Sequence, residues 1–163
     1  VLDHVSTRHD LDSSRSAAMG GSFGGYMTNW LGTQTRRFQC LISHASIYSM
    51  SAFTGVTDMP AHWYLEMDGE PYSDPGWFDR YSPSRAIHQW RTPTLVIHGE
   101  QDYRVPISEA LALFEALQYH KVESELLVFP DENHWICKPN NIIAWYQAVF
   151  EFLHRYTSRK SPE

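Results

Sequence analysis

Four short apolar runs punctuate the chain, at positions 17–19, 40–42, 95–97 and 126–129. In none of them do polar and apolar residues alternate. Continuous apolar runs are the pattern of strands covered on both faces, as in a parallel sheet flanked by helices. Helical periodicity lies between and after them. Ser108 is placed to cap a helix running to about Tyr119, in which Ala110 and Phe114, and likewise Leu113 and Leu117, fall at i,i+4 spacing. A last helix is expected after Pro139, with Asn140 or Asn141 as its cap. Its apolar stripe is Ile142, Tyr146, Val149 and Leu153, which would pack across the sheet.

The stretch from about Ser49 to Arg85 has neither period. It holds Pro60, Gly69, Pro71, Pro75, Gly76 and Pro83, with Trp63 and Trp77 between them. That composition reads as a long excursion with short helices. The whole order is strand, helix, strand, excursion, strand, helix, strand, helix. It predicts an α/β fold with a mostly parallel sheet flanked by helices. Four strands make a small sheet, and the first would keep one open, apolar edge. Such an edge is an aggregation hazard, so partners for it are expected outside this chain. They would be either a missing N-terminal part or a second copy in a homo-oligomer.

Composition narrows the function classes. The chain has 163 residues, 42% hydrophobic, 20% charged and 14% aromatic, with a net charge of −6. No basic stripe offers itself to nucleic acid. Arg159 and Lys160 form a basic pair near the end, which reads as a frayed end; residues 157–163 are taken as a tail and 1–156 as the folded unit. No run of about 18 apolar residues suggests a membrane span. The opening VLDHVSTRHD is not a signal peptide and lacks an initiator Met, so the chain is expected to start inside a longer protein. Two cysteines, Cys40 and Cys137, make no disulfide framework. They read as thiols in a reducing, cytoplasmic setting.

Three loops carry chemistry. Gly20-Gly21-Ser22-Phe23-Gly24 fits G-x-S-x-G, a sharp strand-to-helix turn that lifts a serine nucleophile to the sheet edge. Gly20 and Gly24, two residues either side of Ser22, supply the small size that a close strand–helix approach needs. The backbone N–H of Phe23 then points where an oxyanion would form. Asp102 follows the third apolar run, at a strand's carboxyl end, where a buried Asp can orient a histidine. His134 follows the fourth run on a loop. The chain order Ser, Asp, His is the order that α/β-hydrolases use.

The segments Gly20-Gly21-Ser22-Phe23-Gly24-Gly25-Tyr26, Thr92-Pro93-Thr94-Leu95-Val96-Ile97-His98-Gly99-Glu100 with Asp102-Tyr103-Arg104, and Phe129-Pro130-Asp131-Glu132-Asn133-His134 resemble those of the prolyl oligopeptidase family. Its acylaminoacyl peptidase and dipeptidyl aminopeptidase branch is the most similar. The resemblance implies the C-terminal part of an α/β-hydrolase catalytic domain, with the N-terminal strands and a β-propeller absent. It implies a serine peptidase acting on short peptides, with Ser22 as nucleophile, His134 as base then acid, and Asp102 as its orienting partner. It also implies that a second oxyanion donor belongs to a glycine-rich loop in the absent part. The alternative is an incompetent fragment that persists by association.

Weaker candidates complete the picture. Arg104 is read either as a contact to a substrate carbonyl or as a tie between its loop and a carboxylate. Tyr48, Phe53, Trp63 and Trp77 are candidates for an apolar substrate pocket, with packing as the competing role. His44, His62 and His98 have no metal-ligand spacing, and neither a metal nor a cofactor is expected.

Overall fold

The computed structural model describes residues 2–158, so Arg159, Lys160 and most of the expected tail lie outside the described residues. A short helix α1 (Leu2–Val5) leads into β1 (Ala17–Gly21), α2 (Phe23–Gln34) and β2 (Cys40–His44). The excursion follows as α3 (Met50–Thr54), α4 (Pro60–Glu66) and α5 (Pro75–Arg80), then a 3-10 segment, Pro83–Gln89. The chain closes with β3 (Thr94–Gly99), α6 (Ser108–Tyr119), β4 (Ser124–Phe129) and α7 (Pro139–Thr157). The four strands make one parallel sheet in the order β1-β2-β3-β4. Each apolar run seen in the sequence is a strand.

β2 and β3 are central, and their residues divide by parity, as strand geometry requires. Leu41 and Val96 face one side, against Ala110, Leu113 and Leu117 of α6 and against Trp90. Cys40, Ile42, Leu95 and Ile97 face the other, against Val149 and Phe152 of α7. A third cluster gathers Tyr26, Met50, Phe53, Phe78 and Val105, so the excursion has a small core of its own. Cys40 is buried, Cys137 is exposed, and both are free.

Two helix details differ from expectation. Ser108 is the first helical residue of α6 rather than its cap; Ile107 takes the cap position with no side-chain bond. Pro139 is the first residue of α7 and Lys138 its cap, because a proline at the first helical position gives up only an N–H that has no intrahelical partner. The buried stripe of α7 runs through Trp145, Ala148, Val149 and Phe152. Tyr146 is instead half exposed and stacks on Phe150. Five aromatics in the helix gave two rival stripes, and the one with Trp145, Phe152 and Tyr156 took the sheet.

Candidate active site

Ser22 is the single residue between β1 and α2. It stands at φ 58°, ψ −122°, a backbone state that costs a non-glycine residue about 1–3 kcal/mol. Its surroundings hold it there: Ser22 N–H donates to His44 O at 3.0 Å, and Tyr26 N–H donates back to Ser22 O at 2.9 Å. A Cβ on Gly20 would overlap the Gly24 carbonyl, and one on Gly25 would come within 2.6 Å of Ser46 Cβ. A Cβ on Gly24 would meet nothing within 4 Å. The small residues that the turn needs are therefore Gly20 and Gly25, and the expectation for Gly24 is corrected. The close approach is made by the Gly24 backbone onto Gly20, while the Gly24 Cα–H points to open space.

Beneath the turn, Asn29 of α2 is fully buried. Its amide donates to Ser46 Oγ at 3.0 Å and to Ile47 O at 2.9 Å, and its oxygen accepts from Ser43 Oγ at 2.7 Å. This network fixes α2 to the end of β2. Ser22 caps α2 without a side-chain bond, which leaves Phe23 N–H at the helix's positive end with no intrahelical partner.

Asp102 lies three residues past β3, its side chain fully buried. Oδ1 accepts from Arg104 N and Val105 N, both at 2.9 Å. Oδ2 lies 2.8 Å from His134 Nδ1. Burial pushes this carboxyl up, but the bonds from His134, His98 and the Val105 N–H outweigh it and hold it well below the usual carboxylate range. An ionised Asp102 accepts only, so the proton on Nδ1 is His134's own. The neutral ring then offers a bare Nε2. Among the described residues the Ser22 hydroxyl makes no hydrogen bond, and His134 makes only the one to Asp102.

The two loops are joined by their backbones. Glu100 N–H donates to Phe129 O and Gln101 N–H to Glu132 O, each at 2.9 Å. Glu132, itself buried, accepts from Lys138 N and Asn141 Nδ2 at 2.8 Å and from Cys137 N at 3.1 Å. That closes the His134 loop onto the start of α7. Asn29, Glu132 and His98 were not singled out as supports of the site. Their roles depend on contacts between distant segments, which no local pattern encodes.

A cavity of about 740 Å³ opens beside Ser22 and Phe23. Phe53, Trp63, Trp77 and Arg104 line it, as do Tyr26, Met50, Met59 and Met67. Tyr48 does not. It is buried in the core with Leu41, Trp90 and Val96, its N–H bonded to Glu109 at 2.8 Å. The methionines carried no signal in the sequence, because isolated apolar residues in an irregular segment look like ordinary packing. Arg104 also forks onto Asp58, with Nε at 2.6 Å from Oδ1, which ties the excursion to the Asp102 loop. His62 lines the cavity, while His44 and His98 sit at the ends of β2 and β3. Among the described residues no group of three His, Cys, Asp or Glu is arranged to hold a metal ion.

The sequence and the fold have known counterparts. A sequence model of the prolyl oligopeptidase family matches residues 1–160. Dipeptidyl-peptidase 5 of Schizosaccharomyces pombe is 37% identical over 160 residues, covering 96% of this chain and 23% of that protein. Dipeptidyl-peptidase 5 of Porphyromonas endodontalis is 34% identical, covering 98% and 24%. The chain thus spans about a quarter of the length of the curated relatives it matches. Among solved structures, Pyrococcus horikoshii acylaminoacyl peptidase superposes with a TM-score of 0.90 at 24% identity, over 99% of this chain and 27% of that one. That likeness is one of fold, and it agrees with the parallel sheet and its flanking helices. The sequence match runs through the serine turn, the aspartate loop and the histidine loop alike, and on that ground the chain belongs to the prolyl oligopeptidase family.

Proposed function

We propose that Ser22, His134 and Asp102 act as a catalytic triad that hydrolyses peptide bonds of short peptides through an acyl-enzyme. The observation that carries this reading is the 2.8 Å contact between His134 Nδ1 and Asp102 Oδ2, on the same sheet edge as the strained Ser22. In the reaction, His134 Nε2 takes the Ser22 proton as Oγ attacks the scissile carbonyl. The carbonyl oxygen becomes an oxyanion facing Phe23 N–H and the N-terminus of α2. Collapse breaks the C–N bond, and the leaving amine receives the proton from His134. Water, deprotonated by the same Nε2, then releases the acid and restores Ser22. Asp102 stays ionised and stabilises the imidazolium.

The apolar cavity suits a bulky uncharged side chain beside the scissile bond, with Phe53 and Trp63 as walls and Arg104 at its margin. The relatives named dipeptidyl-peptidase 5 support dipeptide release as the form this hydrolysis takes. The outer edge of β1 is unpaired among the described residues. A further strand laid there, from preceding sequence or from a second copy, belongs to this reading.

Hydrolysis of dipeptidyl, N-acylaminoacyl and internal-bond coumarin or quenched substrates tests it. The reading expects turnover of short peptides with a burst equal to the enzyme concentration, absent in Ser22→Ala. Hydrolysis that survives Ser22→Ala would refute it.

A further inference from the structure

His98 ends no pocket and faces no solvent; its side chain is 0% exposed, as is that of Asp102. Its Nε2 lies 2.7 Å from the carbonyl oxygen of Val105. A carbonyl only accepts, so Nε2 carries the hydrogen. The same nitrogen lies 3.4 Å from Asp102 Oδ2, the oxygen that meets His134. The N–H is spent on the Val105 carbonyl, and the Asp102 carboxylate lies beside it at charge–dipole range. The loop closes on itself as well, since Val105 N–H donates to Asp102 Oδ1. His98 Nδ1 is buried with no partner among the described residues. A fully buried ring with one orphaned nitrogen is a poorer core residue than phenylalanine or leucine. Its single satisfied nitrogen goes to the Asp102 loop.

We infer that His98 is a positioning residue for catalysis: from the rigid end of β3, its Nε2–H anchors the Val105 carbonyl and so fixes the loop whose N–H groups hold the Asp102 carboxylate that orients His134. This goes beyond the triad reading of the previous subsection and rests on it. Strand β3 is buried at every position, so the donor cannot drift. The Asp102 carboxylate accepts from the N–H groups of Arg104 and Val105 on Oδ1 and meets His134 on Oδ2, with His98 Nε2 3.4 Å from that same Oδ2. The placement of the nitrogen at the ring's far end is the specific element. Glutamine can bring an N–H₂ to the Nε2 position and asparagine cannot.

The test is the saturation kinetics of Ser22 labelling by a fluorophosphonate, on the whole chain, with the labelled fraction counted by intact mass. The variants are His98→Phe, His98→Gln and His98→Asn, with His134→Ala as reference. His98→Phe and His98→Asn are expected to lower the maximal labelling rate by about 10- to 100-fold at unchanged probe affinity, the size of effect that misplacement of a catalytic group produces. His98→Gln is expected to recover most of the rate. A purely structural role would lower the labelled fraction and the melting temperature, with no such ordering of rates. A wild-type rate in folded His98→Phe, with His134→Ala silent, overturns this inference alone. No labelling of the wild-type chain, or a wild-type rate in His134→Ala, overturns the triad reading and this inference with it.

Discussion

His134 and Asp102 meet at 2.8 Å although 32 positions separate them, because the loops that carry them are paired backbone to backbone beyond the ends of β3 and β4. Gly99 lies at the closest point of that pairing. A Cβ there would overlap the Asn133 carbonyl and stand 2.6 Å from Glu132 O. Gly99→Ala is therefore predicted to push the histidine loop away from Asp102. The expected loss is about 1–3 kcal/mol of stability and about 100-fold in rate. Denaturant unfolding and substrate hydrolysis, measured on the same preparation, check both.

The serine turn gives a paired prediction. Gly20→Ala puts a methyl group into the Gly24 backbone and should destabilise by about 1–3 kcal/mol while abolishing Ser22 reactivity. Gly24→Ala enters open space in the first turn of α2. It should be neutral or stabilising by up to about 1 kcal/mol. Thermal melts of the two variants decide the matter; equal losses would show that the turn is read wrongly.

Asp102→Asn keeps the shape of the site and changes which His134 nitrogen carries the proton. An amide that donates to Nδ1 would leave the hydrogen on Nε2, where the base is needed. The predicted fall is about 10⁴-fold in kcat with KM little changed. A fall below tenfold would mean that the His134–Asp102 contact is structural only.

His44 makes stability depend on pH. Burial, then the charges of His98 and His134, push its pKa down to about 4, against a partial pull upward from Asp102. The unfolded value is about 6.5. The unfolded chain thus binds the extra proton between pH 6.5 and 4, so stability falls as pH drops through that window and is full above it. The loss attributable to His44 is at most about 3 kcal/mol. The depressed Asp102 acts in a separate window, contributing stability above about pH 4 that is lost below it. Urea unfolding at pH 7 and pH 4.5 should show a smaller difference in His44→Phe than in the wild-type chain.

Much of this was legible in the sequence, for physical reasons. Strands packed on both faces read as apolar runs, and β2 and β3 are buried at nearly every position; the edge strands β1 and β4 are only partly buried but still showed as short runs. The serine turn needs glycines at fixed offsets, which made Ser22 visible, although the need falls on Gly20 and Gly25 rather than Gly24. Asp102 and His134 were findable because both follow strands on one sheet edge. Tyr48 was misread because an aromatic near the excursion looks the same whether it faces the cavity or Trp90. The cavity's methionines, the Asn29 network and His98 depend on which distant segments meet. That information appears only once the sheet is assembled.

The central claim is that Ser22 is an activated nucleophile, and intact-mass analysis after exposure to a fluorophosphonate probe tests it most directly. The account predicts one adduct per chain of 18.9 kDa, mapped to Ser22 and absent in Ser22→Ala and His134→Ala. A folded wild-type chain that gains no mass, or an adduct that persists in Ser22→Ala, would contradict it.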